Sequence, residues 1–181
     1  GELGVDAPTV VSSLVTASFG TTARDITVNF QLTGTVSATT IGNVTVANQM
    51  SGDLEATTIG NVTVTSLWLS GGSITAGTTT VNGTLGDVTA NDDFQGDITV
   101  HGDHSGNMTF ADTVGSSTLI DIHGNYTGFM SVSSSFVGHL QIDGDLASTG
   151  RIEIDGDLTG NTRSVTHTSE IYIQMSDTVS M

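Results

Sequence analysis

The nine residues Ala38-Thr-Thr-Ile-Gly-Asn-Val-Thr-Val46 return letter for letter as Ala56-Thr-Thr-Ile-Gly-Asn-Val-Thr-Val64, displaced by 18 positions. Identical recurrence at such a period marks a solenoid: each copy is one unit that cannot bury its apolar side alone and must stack on the next. Looser relatives of the phrase fill most of the chain. Ile98-Thr-Val-His-Gly-Asp-His-Ser-Gly106, Ile120-Asp-Ile-His-Gly-Asn-Tyr-Thr-Gly128, Leu140-Gln-Ile-Asp-Gly-Asp-Leu146 and Ile152-Glu-Ile-Asp-Gly-Asp-Leu-Thr-Gly160 each read as an alternating strand followed by a turn.

Aligning the units on their closing glycines gives successive steps of 18, 26, 20, 22 and 22 residues from Val44 through Val62, Val88, Met108 and Met130 to Ile152. Side chains on a strand alternate in direction. The pairs Val44/Val46, Val62/Val64, Val88/Ala90, Met108/Phe110, Met130/Val132 and Ile152/Ile154 therefore make an inward column, with Thr45, Thr63, Thr89, Thr109, Ser131 and Glu153 facing out. A second series interleaves: Thr80-Val-Asn-Gly83, Thr99-Val-His-Gly102, Asp121-Ile-His-Gly124 and Gln141-Ile-Asp-Gly144. Two strand-turn units per rung is the simplest reading, and crowding between Ile74 and Gly86 leaves a three-sided coil open. Met50, Leu69, Phe94, Val114, Phe136 and Leu158 are expected to plug the corners. Gly102, Gly124, Gly144 and Gly156 are expected at sharp bends with φ > 0.

The expected fold is all-β, a single-stranded parallel β-helix with coils of about 18–22 residues, the rungs stacking about 4.8 Å apart. An antiparallel sandwich is the competing all-β arrangement, since it also uses short strands at close spacing. Residues 1–25, which hold the only proline at Pro8, read as an N-terminal cap over an exposed sheet edge. Residues 26–181 read as the solenoid. Because Glu170-Ile-Tyr-Ile-Gln174 still alternates, the C-terminal end is expected to continue into further repeats or to pair with another copy.

Three Lys and Arg against 19 Asp and Glu, for a net charge of −16, argue against nucleic acid and anionic membrane surfaces as partners. Of the acids 15 are Asp, a turn residue, so they are expected to decorate turns. The absence of Cys removes disulfides and thiolate metal sites. No run of 18 apolar residues occurs, so no helical membrane insertion is expected.

The Ile-x-Ile-x-Gly-Asp-Leu-x-Gly phrase of residues 152–160, with its relatives back to residue 26, resembles the parallel β-helix repeats of large bacterial secreted or surface proteins. In rhythm it is also similar to bactofilins, cytoskeletal β-helices that polymerise end to end. The resemblance implies a secreted or cell-surface structural or adhesive module and transfers no functional residue.

Four constellations are candidates for chemistry. Asp143, Asp145, Asp155 and Asp157, with Asp103 and Asn125 one and two rungs back, offer oxygen ligands suited to calcium, although the nonapeptide Gly-Gly-x-Gly-x-Asp is absent. A solvated acidic face is the plainer account. His101 and His123 fall in one column near His104, an arrangement for a divalent metal or for a ladder of turn hydrogen bonds. Asn91-Asp-Asp93 followed by His101-Gly-Asp-His104 loosely resembles the polygalacturonase pattern of paired aspartates and a Gly-His-Gly, but the Arg-x-Lys that holds the anionic sugar has no counterpart here. The Thr45, Thr63, Thr89, Thr109 file suits an ice-binding array, yet its neighbour (Ala47, Thr65, Asn91, Ala111, Ser133, Asp155) is broken. Trp68 is either a sugar- or subunit-facing aromatic or a side chain buried under residues 72–78. The expectation that follows is a non-enzymatic extracellular structural or adhesive module, self-assembling or joined to neighbouring repeats, with carbohydrate a candidate partner. The alternatives are a polysaccharide-binding or polysaccharide-cleaving β-helix and an ice-binding solenoid.

Overall fold

The computed structural model describes residues 9–14, 16–66, 68–69, 71–78, 81–146, 150–164 and 173–175. They wind into a parallel β-solenoid of about seven turns, with no helix among the described residues. The first face stacks Thr9–Leu14, Ile26–Leu32, Val44–Val46, Val62–Val64, Val88–Ala90, Met108–Phe110, Phe129–Val132, Arg151–Ile154 and Ile173–Met175 in sequence order. Its register is the one the glycine alignment predicts: Val44 lies on Val62, Val62 on Val88, Val88 on Met108, Met108 on Met130 and Met130 on Ile152. Val44 and Val62 are therefore parallel neighbours, and the sandwich alternative falls.

The second face runs from Ala17–Ser18 through Val36–Ser37, Leu54–Ala56, Ser73–Thr78, Asp97–Val100, Leu119–Ile122 and His139–Ile142 to Asn161–Ser164. A third, short face stacks Thr22–Ala23, Thr40–Ile41, Thr58–Ile59 and Thr84–Leu85. In the later rungs the bridges His104 to Tyr126 to Leu146 occupy this side. The coil is thus three-sided, whereas two units per rung was the simpler expectation. The third side was hard to see because it needs only two residues per rung. The interleaved series also shifts at one place: the partner of Thr99 is Thr75, not Thr80-Val81. Residues Val81–Asn82 instead fold back antiparallel on Gly77 and Thr78, a hairpin excursion that accounts for the single 26-residue step.

The interior is continuous. Inward residues of the first face, from Ile26 and Val28 to Ile152 and Ile154, are all buried, as are Leu54, Ile74, Ile98, Ile120 and Leu140 of the second. Between the two faces a corner column runs Leu14, Leu32, Met50, Trp68, Phe94, Val114, Phe136, Leu158. Trp68 holds the place expected of Leu69 and is fully buried; its indole N–H donates to the Gly72 carbonyl at 3.3 Å, and its ring meets Phe94 edge-on at 4.7 Å. An indole can enter an apolar column when its one N–H finds such a partner.

The first rung starts before residue 26. Thr9 pairs with Ile26, Ala17 with Val36 and Thr22 with Thr40, so the described residues of 9–23 stack in register on the edge that residues 1–25 are expected to cover; residues 1–8 and 15 lie outside the described residues. At the other end Ile173–Met175 continues the first face on Arg151–Ile154, while the remainder of residues 165–181 lies outside the described residues.

Only Gly102 of the four turn glycines named above has positive φ, at +137°. The others are required by close approach: a Cβ on Gly144 would stand 2.6 Å from the Gly124 carbonyl carbon one rung below. Glycine there lets successive backbones stack.

Candidate functional site

The acids serve the turns in a specific way. Ahead of Ile26, Val44, Val62, Val88 and Met108 the residue is Asp or Asn, and its side-chain oxygen accepts the amide N–H of its counterpart on the following rung. Asp25 accepts from Asn43 at 2.8 Å, Asn43 from Asn61 at 3.0 Å, Asn61 from Asp87 at 2.9 Å and Asp87 from Asn107 at 2.7 Å; Asn107 then accepts from Phe129 at 3.0 Å. A second ladder after the second face links Asp103 to Asn125 at 2.7 Å and Asn125 to Asp145 at 2.8 Å. These turn amides find an acceptor without a backbone carbonyl of their own strand ladder.

The four predicted calcium ligands divide accordingly. Asp143 and Asp145 follow His139–Ile142 of the second face, whereas Asp155 and Asp157 follow Arg151–Ile154 of the first. Asp145 ends the ladder just described, and its own N–H is held by Asn125. The Asp157 N–H is held by the Ser135 hydroxyl at 3.3 Å. Of the four, only Asp143 belongs to a group of three acid or imidazole side chains whose ligand atoms lie within 4.8 Å of one another among the described residues, the group being Asp121, His123 and Asp143. Asp92, Asp93 and Asp112 form the other such group, on the turns that follow the first face.

The imidazole column is real but divided. His101 and His123 stack with ring centroids 4.6 Å apart at the end of the second face. The turns they begin are longer than the one after Ala56. From Ala56 to Val62 the chain takes six positions to reach the first face again, while from Val100 to Met108 it takes eight. His101, His123 and Asp143 stand at the start of the longer turns, the last of which takes ten positions from Ile142 to Ile152. His123 Nε2 lies 3.3 Å from Asp121 Oδ2 on its own rung, and Nδ1 lies 3.1 Å from Asp143 Oδ2 on the next. Gln141 donates to the other oxygen of Asp143 at 2.8 Å. All three residues are partly exposed.

His104 departs from this group altogether. It is 1% exposed, stacks on fully buried Tyr126 at 5.5 Å, and points into the core. Neither ring nitrogen, nor the Tyr126 hydroxyl, has a hydrogen-bond partner among the described residues. Burial lowers the His104 pKa to about 4, against the opposing pull of the Asp87 charge. Burial also raises the Tyr126 pKa, with Asp87 adding to the effect.

Asp92 and Asp93 precede the strand Asp97–Val100 and His101 follows it, so the residues of the polygalacturonase-like pattern stand at opposite ends of one face. The file Thr27, Thr45, Thr63, Thr89, Thr109 is continuous in register on the outside of the first face. Where the second and third faces meet, near the N-terminal rungs, a shallow depression of about 500 Å³ is lined by Ser37, Thr39, Glu55, Thr57 and Thr75 among others. Turn hydrogen bonding by Asp103, Asn125 and Asp145 follows the sequence reading, whereas the first ladder, the hairpin excursion and the depression go beyond it; that ladder has a visible signal in the Asp or Asn that precedes Ile26, Val44, Val62, Val88 and Met108.

Comparison of the chain with protein-family models, with curated proteins and with solved structures found no match.

Proposed function

We propose that this chain is a non-enzymatic structural or adhesive module of an extracellular or cell-surface assembly, joined to further repeats or to copies of itself. The observation that carries this reading is the parallel register of the first face from Ile26 to Ile152 over a predominantly apolar interior. Such a stack puts its binding capacity into repeated outer faces instead of a cleft. The exterior agrees: hydroxyl and acid side chains in files, a charge of −16, and no lysine to bind polyanions. The resemblance of residues 152–160 to repeats of bacterial secreted and surface proteins points the same way.

Carbohydrate is the favoured adhesive partner because the depression beside Glu55 presents hydroxyls and one carboxylate, groups that exchange hydrogen bonds with sugar hydroxyls. Trp68 does not serve as a stacking platform, being fully buried. Sedimentation velocity across a wide concentration range, paired with glycan-array binding and a reducing-sugar assay on polygalacturonate, tests the proposal. Concentration-dependent association or glycan retention without release of reducing ends is expected. A monomer at every concentration that binds no glycan, or one that cleaves the polymer, overturns it.

A further inference from the structure

The turn after the second face holds a group whose chemistry the structural role does not use. A neutral imidazole carries one N–H. His123 nevertheless has a carboxylate oxygen at each nitrogen, Asp121 at 3.3 Å and Asp143 at 3.1 Å. One contact is an N–H donating to an anion; at the other a nitrogen lone pair faces an anion, which either a second proton or a metal cation between them relieves. The second oxygen of Asp121 is shut from solvent and has no hydrogen-bond partner among the described residues.

We propose that Asp121 and His123 bind a divalent transition-metal ion of the zinc class, with Asp143 holding the imidazole in place. The distances assign the roles. Two ligand atoms about 2.0–2.1 Å from a tetrahedral ion stand about 3.3 Å apart, the Nε2 to Asp121 Oδ2 separation. The 3.1 Å contact on the opposite nitrogen suits an Nδ1–H donating to Asp143, and a carboxylate on the far side of a ligating imidazole fixes its tautomer and orientation. Asp143 is itself oriented by Gln141, and the His123 ring is backed by His101. Solvent completes the shell on the exposed side of the imidazole. An imidazole ligand selects zinc, copper or nickel over calcium. Asp143 belongs to the rung after Asp121 and His123, so the ligating imidazole is held from the next turn.

The test is a titration of the intact chain with ZnCl2, read by isothermal calorimetry and by long-range ¹H–¹⁵N spectra of the histidine side chains. One ion per chain is expected, with Nε2 of His123 shifting as the ligating nitrogen and calcium producing no such shift. His123→Ala and Asp121→Asn should each abolish binding at this place, and Asp143→Asn should weaken it 10–100-fold. Asp155→Asn, at a different corner, should leave it unchanged, and circular dichroism of each variant separates lost binding from lost folding. Zinc binding that survives in folded His123→Ala, an unmoved His123 signal, or an equal response to calcium overturns the proposal.

Discussion

His104 is a titratable group whose burial should make the fold sensitive to acid, and the size of the effect follows from its surroundings. In an unfolded chain a histidine titrates near 6.5; in the core, stacked on Tyr126 with no partner for either nitrogen, it titrates near 4. The folded form therefore resists protonation. Stability is fully present above pH 6.5, falls as the pH drops because the unfolded chain takes up the proton first, and levels off below about 4. That gap corresponds to about 3 kcal/mol. Replacing His104 by Leu, the type Leu146 supplies at the end of the same column, removes the titration and two desolvated nitrogens. At pH 7.5 the variant should equal or exceed the parent by about 1–3 kcal/mol. Urea unfolding of both proteins from pH 7.5 to 4 isolates the His104 contribution, because the carboxylates are common to both. Their difference should widen by about 3 kcal/mol across that range. A difference that stays flat with pH would refute the argument that His104 is buried without a partner.

Three further outcomes follow from packing. Trp68→Ala should cost about 3–5 kcal/mol in urea unfolding, since it empties a place in the corner column and removes one of the two N–H groups that donate to the Gly72 carbonyl, the Asp97 amide remaining. Gly106→Ala should cost about 1–3 kcal/mol, because the added Cβ would stand 2.5 Å from the Gly86 carbonyl oxygen below it; Ser105→Ala beside it should be nearly silent. Asn61→Ala should cost about 1 kcal/mol by leaving the Asp87 amide without its acceptor, while Asn61→Asp, which keeps the oxygen, should recover most of the loss.

Much of this architecture is legible in the sequence because strand alternation is a two-residue rhythm and the duplicated Ala38–Val46 segment fixes the phase. Once Val44 and Val62 are equivalent, the closing glycines carry the register through four more rungs, including the irregular 26-residue step. What the sequence hides is anything with too few residues to show a period. The third face contributes pairs such as Thr58–Ile59, and the hairpin at Val81–Asn82 mimics another unit of the phrase. Trp68 and Leu69 are both apolar, so composition alone does not say which enters the corner. The calcium quartet was drawn from acids close in the linear phrase, but Asp145 and Asp155 follow strands of different faces. Asp121, in contrast, sits two residues before His123 and looks like an ordinary outward strand residue until Asp143 arrives from the next rung. The strand register that stacks Ile142 on Ile122 brings them together.

The account rests on equivalent residues of successive turns being hydrogen-bonded parallel neighbours. Scalar couplings transmitted through hydrogen bonds, measured by NMR on the labelled chain, observe this directly. The Val44 amide nitrogen should couple to the Asn61 carbonyl carbon and the Val62 amide nitrogen to that of Asp87, pairs at 2.8 Å that encode the 18- and 26-residue steps. Couplings from these amides to carbonyls of an antiparallel partner, or to residues at any other offset, would contradict it.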